Sequence, residues 1–167
     1  MKHILVLFFL IPVFAKAQQP SPEALAKEFV AAIKANDKAR FKKLYPDKAT
    51  LRQMFSEMVQ EGKIPVNDTS EVLEAMSDMD DELNEIYGDA MRTIKAKKIN
   101  TAQLVYQLAV LKSYSEEDAP GKMYKGNIIV TSGGKKWFIE VSGILEYKGS
   151  YYGIEVDKAG LGTGIKK

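Results

Sequence analysis

The chain has 167 residues, 24 Lys+Arg against 22 Asp+Glu, a single His and no Cys. Without cysteine there are no disulfides, no thiol chemistry and no lipid attached through an N-terminal thiol. The one histidine is His3; beyond it, His-based triads and zinc or haem sites built on Cys or His are excluded.

Lys2 precedes an apolar run from Ile4 to Phe14, and Ala15-Lys16-Ala17 has the small-x-small form of a cleavage site. That run is too short for a membrane-spanning helix, which needs about 20 residues. Residues 1–17 are therefore predicted to be a signal peptide, with the product secreted or periplasmic and lacking a membrane span after cleavage. Lys2 and Lys16 fall in the leader, so the remaining 150 residues carry 22 basic and 22 acidic side chains. Zero formal charge removes the drive for nonspecific nucleic-acid binding. A chain of this length is expected to form one domain, residues 18–157, followed by a flexible tail at 158–167.

Helical spacing comes first along the chain. Ser21-Pro22 reads as a cap with proline at the first helical position, and Leu25, Phe29, Ala32 and Ile33 mark one face. Asn36-Asp37 interrupts, and Asp37 can cap a short helix carrying Phe41 and Leu44, which Pro46 ends. Asp47 can cap a third helix with Leu51, Met54, Phe55, Met58 and Val59 on its face and Gly62 at its end. After Ile64-Pro65, a longer helix is predicted from the caps at Asp68–Ser70. Its stripe runs through Met76, Met79, Leu83, Ile86, Tyr87, Met91 and Ile94, with Asp78, Asp81, Glu82 and Glu85 opposite.

Beyond Asn100 the period changes to two, giving a first strand near Leu104–Leu111 and a second around Tyr124–Thr131. Gly133-Gly134 and Lys148-Gly149 are two-residue hairpin turns, so the last strands form an antiparallel meander. The turns set a register: Val130 faces Trp137, Ile128 faces Ile139, Tyr124 faces Gly143, Leu145 faces Tyr152 and Val141 faces Val156. Trp137, Ile139, Val141, Leu145 and Tyr152 are then expected to face the helices, with Phe138, Ile144 and Tyr151 on the other side. The outer face gains an apolar patch of Met123, Ile129, Phe138 and Ile144, a candidate partner surface. Glu140 falls opposite Asp157 there, a like-charge pair. The fold class is α+β, with N-terminal helices on a curved C-terminal antiparallel sheet.

The helix pair EALAKEFVAAIKANDKARFKKLYP, together with a sheet ending GKKWFIEVSGILEYKGSYYGIEV, resembles the nuclear transport factor 2-like, or cystatin-like, superfamily. The resemblance implies a cone: helices filling the concave side of a bent sheet, a ligand at its mouth and a convex face that often forms a dimer. It implies a small apolar ligand or a protein partner, and a possible homodimer. In such a mouth, Tyr106, Tyr124, Trp137 and Tyr152 are the candidate ligand-binding residues.

The acidic run SDMDDELNE lacks a calcium-loop pattern and sits on a helical stripe, so a solvated helix face is expected and no metal ligand is assigned. The glycines of AGLGTGIKK have no helix after them to present amides to a phosphate. No cofactor is expected. Catalysis would need a buried Asp or Glu as base with tyrosine hydroxyls as acids, in a small lyase or isomerase; the predicted inward face of the last three strands carries no carboxylate. The expected function is a non-catalytic binding domain, and no catalytic residue is assigned.

Overall fold

A computed structural model of the chain describes residues 19–65, 69–116 and 119–163, with the side chains of 69–75 and 154–163 left undescribed. The predicted leader lies outside the described residues. Four helices, α1 (Pro22–Ala35), α2 (Lys38–Lys42), α3 (Lys48–Gln60) and α4 (Thr69–Ala96), precede four strands. The strands are β1 (Val105–Tyr114), β2 (Lys122–Ser132), β3 (Lys135–Tyr147) and β4 (Ser150–Thr163), forming one antiparallel sheet in chain order. The protein is an α+β domain with its helices N-terminal to the sheet.

The helix ends follow the local chemistry of the sequence. The side chains of Ser21, Asp37 and Asp47 each accept a hydrogen bond from the backbone N–H three residues on, capping α1, α2 and α3. Asn36 ends α1 in the left-handed conformation, with the Asp37 N–H reaching back to the Ala32 carbonyl. Gly62 and Lys98 repeat this closure after α3 and α4. At α4 the closure sets Ile99 beside Ile94, both in the core.

The core lies between the helices and one face of the sheet. Leu25, Phe29 and Ile33 of α1 and Tyr87 and Ile94 of α4 meet Ile128, Val130, Trp137, Ile139, Val141 and Ile144 of the sheet. Phe41 is fully buried and touches three rings, Phe29 at 5.9 Å, Tyr45 at 5.5 Å and Tyr87 at 5.2 Å between centroids. Each large apolar side chain buried here contributes about 1.5–3 kcal/mol relative to exposure. Polar contacts also fix how the helices meet: the Tyr87 hydroxyl donates to Asn36 Oδ1 at 2.9 Å, Arg40 makes a two-pronged pair with Glu28 at 2.5 and 2.9 Å, and Lys42 donates to Asp80 at 2.9 Å.

Both hairpin turns form as expected, with Gly133, Gly134, Lys148 and Gly149 all at positive φ. Val130 pairs with Trp137, Ile128 with Ile139, Leu145 with Tyr152 and Val141 with Val156. The alternation between those fixed points is broken by bulges. Between β2 and β3, Gly126 pairs with Val141 but Tyr124 pairs with Ile144, so β3 holds an extra residue at Ser142–Gly143. Tyr124 therefore faces Ile144 and not Gly143, and Met123 faces Leu145. Between β3 and β4, the shift from Val141–Val156 to Ile139–Leu161 leaves the anticipated Glu140–Asp157 juxtaposition out of the ladder. Gly143 pairs with Glu155. The last strand does not end near Asp157: β4 runs to Thr163, which pairs with Trp137.

An extra residue in one strand reverses every side chain beyond it. Ile144 is fully buried in the core, where an outward position was expected, and Leu145 is only half-buried. Across the hairpin the same inversion turns Tyr151 toward the core and leaves its neighbour Tyr152 on the other face.

Candidate functional site

Three of the four candidate ligand-binding aromatics lie on the helix-covered face. Tyr106 and Tyr124 pack against the core cluster, and Trp137 belongs to it. Tyr152 does not join them; Tyr151 takes the place expected of it. Burial, and then the nearby Glu23 charge, raises the Tyr106 phenol above its usual value. The Trp137 indole N–H is buried, and among the described residues it has no hydrogen-bond acceptor; a buried donor left unmet costs about 1–3 kcal/mol.

The bulge also brings a carboxylate onto this face. The Tyr124 hydroxyl donates to Glu146 Oε2 at 2.5 Å, and its ring meets Tyr151 edge-on at 5.7 Å between centroids. The Glu146 hydrogen bond, followed by burial, pushes the Tyr124 phenol far above its usual value, so it remains a proton donor to the carboxylate. The Lys122 ammonium lies 5.6 Å from the Tyr124 ring centre. At the adjoining hairpin the Tyr147 hydroxyl donates to Glu57 at 2.7 Å, and Lys148 pairs with the same carboxylate at 2.5 Å. Lys148, then Tyr147, holds the Glu57 carboxyl below its usual range. These contacts tie α3 to the β3–β4 turn.

A cavity on the covered face is lined by Phe29, Ile33, Ile94, Leu104, Val130 and Ile139, among others, all apolar. Its volume is about 10 Å³, about one water-sized sphere, and an apolar lining of this kind stays dry. It does not reach Tyr124, Glu146 or Trp137. Among the described residues, no group of three or more Asp, Glu, His or Cys side chains is arranged to hold a metal ion, and no helix is long and apolar enough to cross a membrane.

The opposite face carries the exposed apolar surface. Leu108 of β1 pairs with Ile129 of β2, which pairs with Phe138 of β3, a row running across three strands. Val105 and Val110 extend it along β1, and Val105, Leu108 and Val110 are 49%, 46% and 51% exposed. Of the patch expected from sequence, Met123, Ile129 and Phe138 lie on this outer face, each half-buried; Ile144 does not, because the bulge turns it inward. Sequence reasoning missed the β1 contribution because strict alternation sets Leu108 and Val110 on the face of Tyr106, whereas the register shift between Tyr106 and Leu108 places them on the face of Val105. It also missed Glu146 and Tyr151, although Gly143 inside a strand was an available signal for a bulge.

Comparison with protein-family models, with curated proteins and with solved structures finds no match to this chain.

Proposed function

We propose that the protein is an exported, non-catalytic interaction domain that binds a protein partner through the outer face of its sheet. The observation that carries this reading is the exposed apolar row on the outer face of the sheet, opposite a face whose apolar side chains are buried under the helices. Val105, Leu108 and Val110 stay about half exposed, whereas Ile128, Val130 and Val141 on the covered face are buried. An exposed apolar row rimmed by polar residues is the usual form of a partner surface. The likeness to the cystatin-like superfamily fits this reading, since it implies helices on the concave side of the sheet and association through the convex face. Export follows from the leader pattern of residues 1–17.

The lyase or isomerase alternative would draw on the Tyr124–Glu146–Tyr151 corner, where a carboxylate and two phenols meet on the covered face. The apolar cavity does not open onto that corner, and the phenol's raised pKa suits a fixed hydrogen-bond donor better than a proton shuttle.

A photo-crosslinking residue placed at Leu108 or Val110 in the producing cell should give a discrete adduct, and one at Glu85 on the exposed side of α4 should give none. Adducts absent from both strand positions would remove the outer face as the binding surface. The mass of the exported protein should show loss of residues 1–17; an intact N-terminus would overturn the export reading.

A further inference from the structure

We infer that β1 accepts an extended, acidic and apolar segment of the partner as a fifth strand of the sheet; the inference rests on the outer-face reading above. β1 is an edge strand ten residues long, and among the described residues it pairs only with β2. Its free edge offers backbone donors and acceptors in a row, the template that strand addition uses. Leu108 and Val110 stand on its outer face, 46% and 51% exposed among the described residues, so an added strand would bury them against its own apolar side chains.

Charge fixes the chemistry of the occupant. Lys112 pairs directly with Lys125 across β1 and β2, and both are exposed on the outer face just beyond Val110. Like charges directly opposite each other on a sheet destabilise it. Lys125 lies 4.8 Å from the Tyr114 ring centre, but among the described residues neither ammonium meets a carboxylate. Lys136, paired with Thr131 beside Val105, adds a third exposed ammonium to the same face. Among the described residues of this face, Glu140 on β3 pairs with Asn127 and lies diagonally across from Lys125, on the side of β2 away from the free edge, so Lys112 has no carboxylate beside it. A strand alternating acidic and apolar residues would set its carboxylates against Lys112 and Lys125 while covering Leu108 and Val110.

A second copy of this chain fits less well. Two β1 edges placed antiparallel about a twofold axis at Ala109 would set Val110 against Leu108 of the other copy. Both Lys112 side chains would remain without an acid.

The test uses the full mature protein and synthetic ten-residue peptides of alternating Val and Glu, alternating Val and Lys, and a Val-Glu peptide N-methylated at alternate backbone amides. The Val-Glu peptide should bind at least about tenfold more tightly than Val-Lys, a difference of about 1.4 kcal/mol. N-methylation should abolish binding, because it removes the donors that a ladder needs. Lys112→Glu combined with Lys125→Glu, both exposed positions, should reverse the preference between the two peptides. Equal binding of both peptides, binding unaffected by N-methylation, or a protein that elutes as a dimer through β1 would each overturn the inference. If the peptides fail while crosslinks at Leu108 and Val110 persist, strand addition is wrong and the outer-face reading stands; if the crosslinks fail too, both fall.

Discussion

The two faces of the sheet are made from similar side chains and meet different surroundings. Ile128 and Val130 of β2 are fully buried beneath α1 and α4, while Val110 and Leu108 on the neighbouring strand are about half exposed. Aliphatic composition does not separate the two sets. What separates them is that the helices cover one side and leave the other to solvent, so hydrophobicity on the inner face becomes stability and on the outer face remains available for association.

The sharpest way to break this comparison is a matched pair of truncations. Ile128→Ala should lower unfolding free energy by roughly 3 kcal/mol, since it leaves a cavity in a fully packed site. Leu108→Ala should change it by no more than about 0.5 kcal/mol, as expected of a surface position. Denaturant titration of both reads the difference directly; equal losses would mean that the outer face is covered. A second pair probes the bulge. Ile144→Ala should cost about 2 kcal/mol more than Leu145→Ala, because the bulge buries Ile144 completely and leaves its neighbour half-buried. The reverse order would restore an unbroken register.

The smallest effect lies at the rim of the covered face. Arg40, chiefly through its hydrogen bond, holds the Glu28 carboxyl below its usual range. A depressed folded-state pKa gives stability that is present above the unfolded value near 4.3 and is lost as pH falls through the folded one. Both partners are partly exposed, so Arg40→Met should cost no more than about 1 kcal/mol at pH 7. The gap to wild type should close as pH is lowered below about 4. A gap that persisted at low pH would locate the effect in packing of the Arg40 stem, not in its charge.

What was readable in the sequence is what neighbouring residues decide among themselves. Ser21, Asp37 and Asp47 cap helices because each side chain reaches a backbone N–H three residues away. Gly133-Gly134 and Lys148-Gly149 turn the chain because their backbones adopt positive φ, and the switch from helical to twofold spacing near Asn100 marks the α+β division. The pairs beside each turn, such as Val130–Trp137, follow from simple counting.

Tertiary structure decided the rest. A bulge depends on how two strands twist against each other and against the helices beneath, so counting outward from a turn cannot place it. That extra residue at Ser142–Gly143 exchanged Ile144 with Leu145 and Tyr151 with Tyr152, and set Glu146 against Tyr124. The continuation of β4 to Thr163 likewise depends on pairing with residues more than twenty positions earlier, such as Trp137. The exposure of Leu108 and Val110 belongs here too, because an apolar side chain carries a preference for cover, and only the placement of the helices determines whether that cover exists.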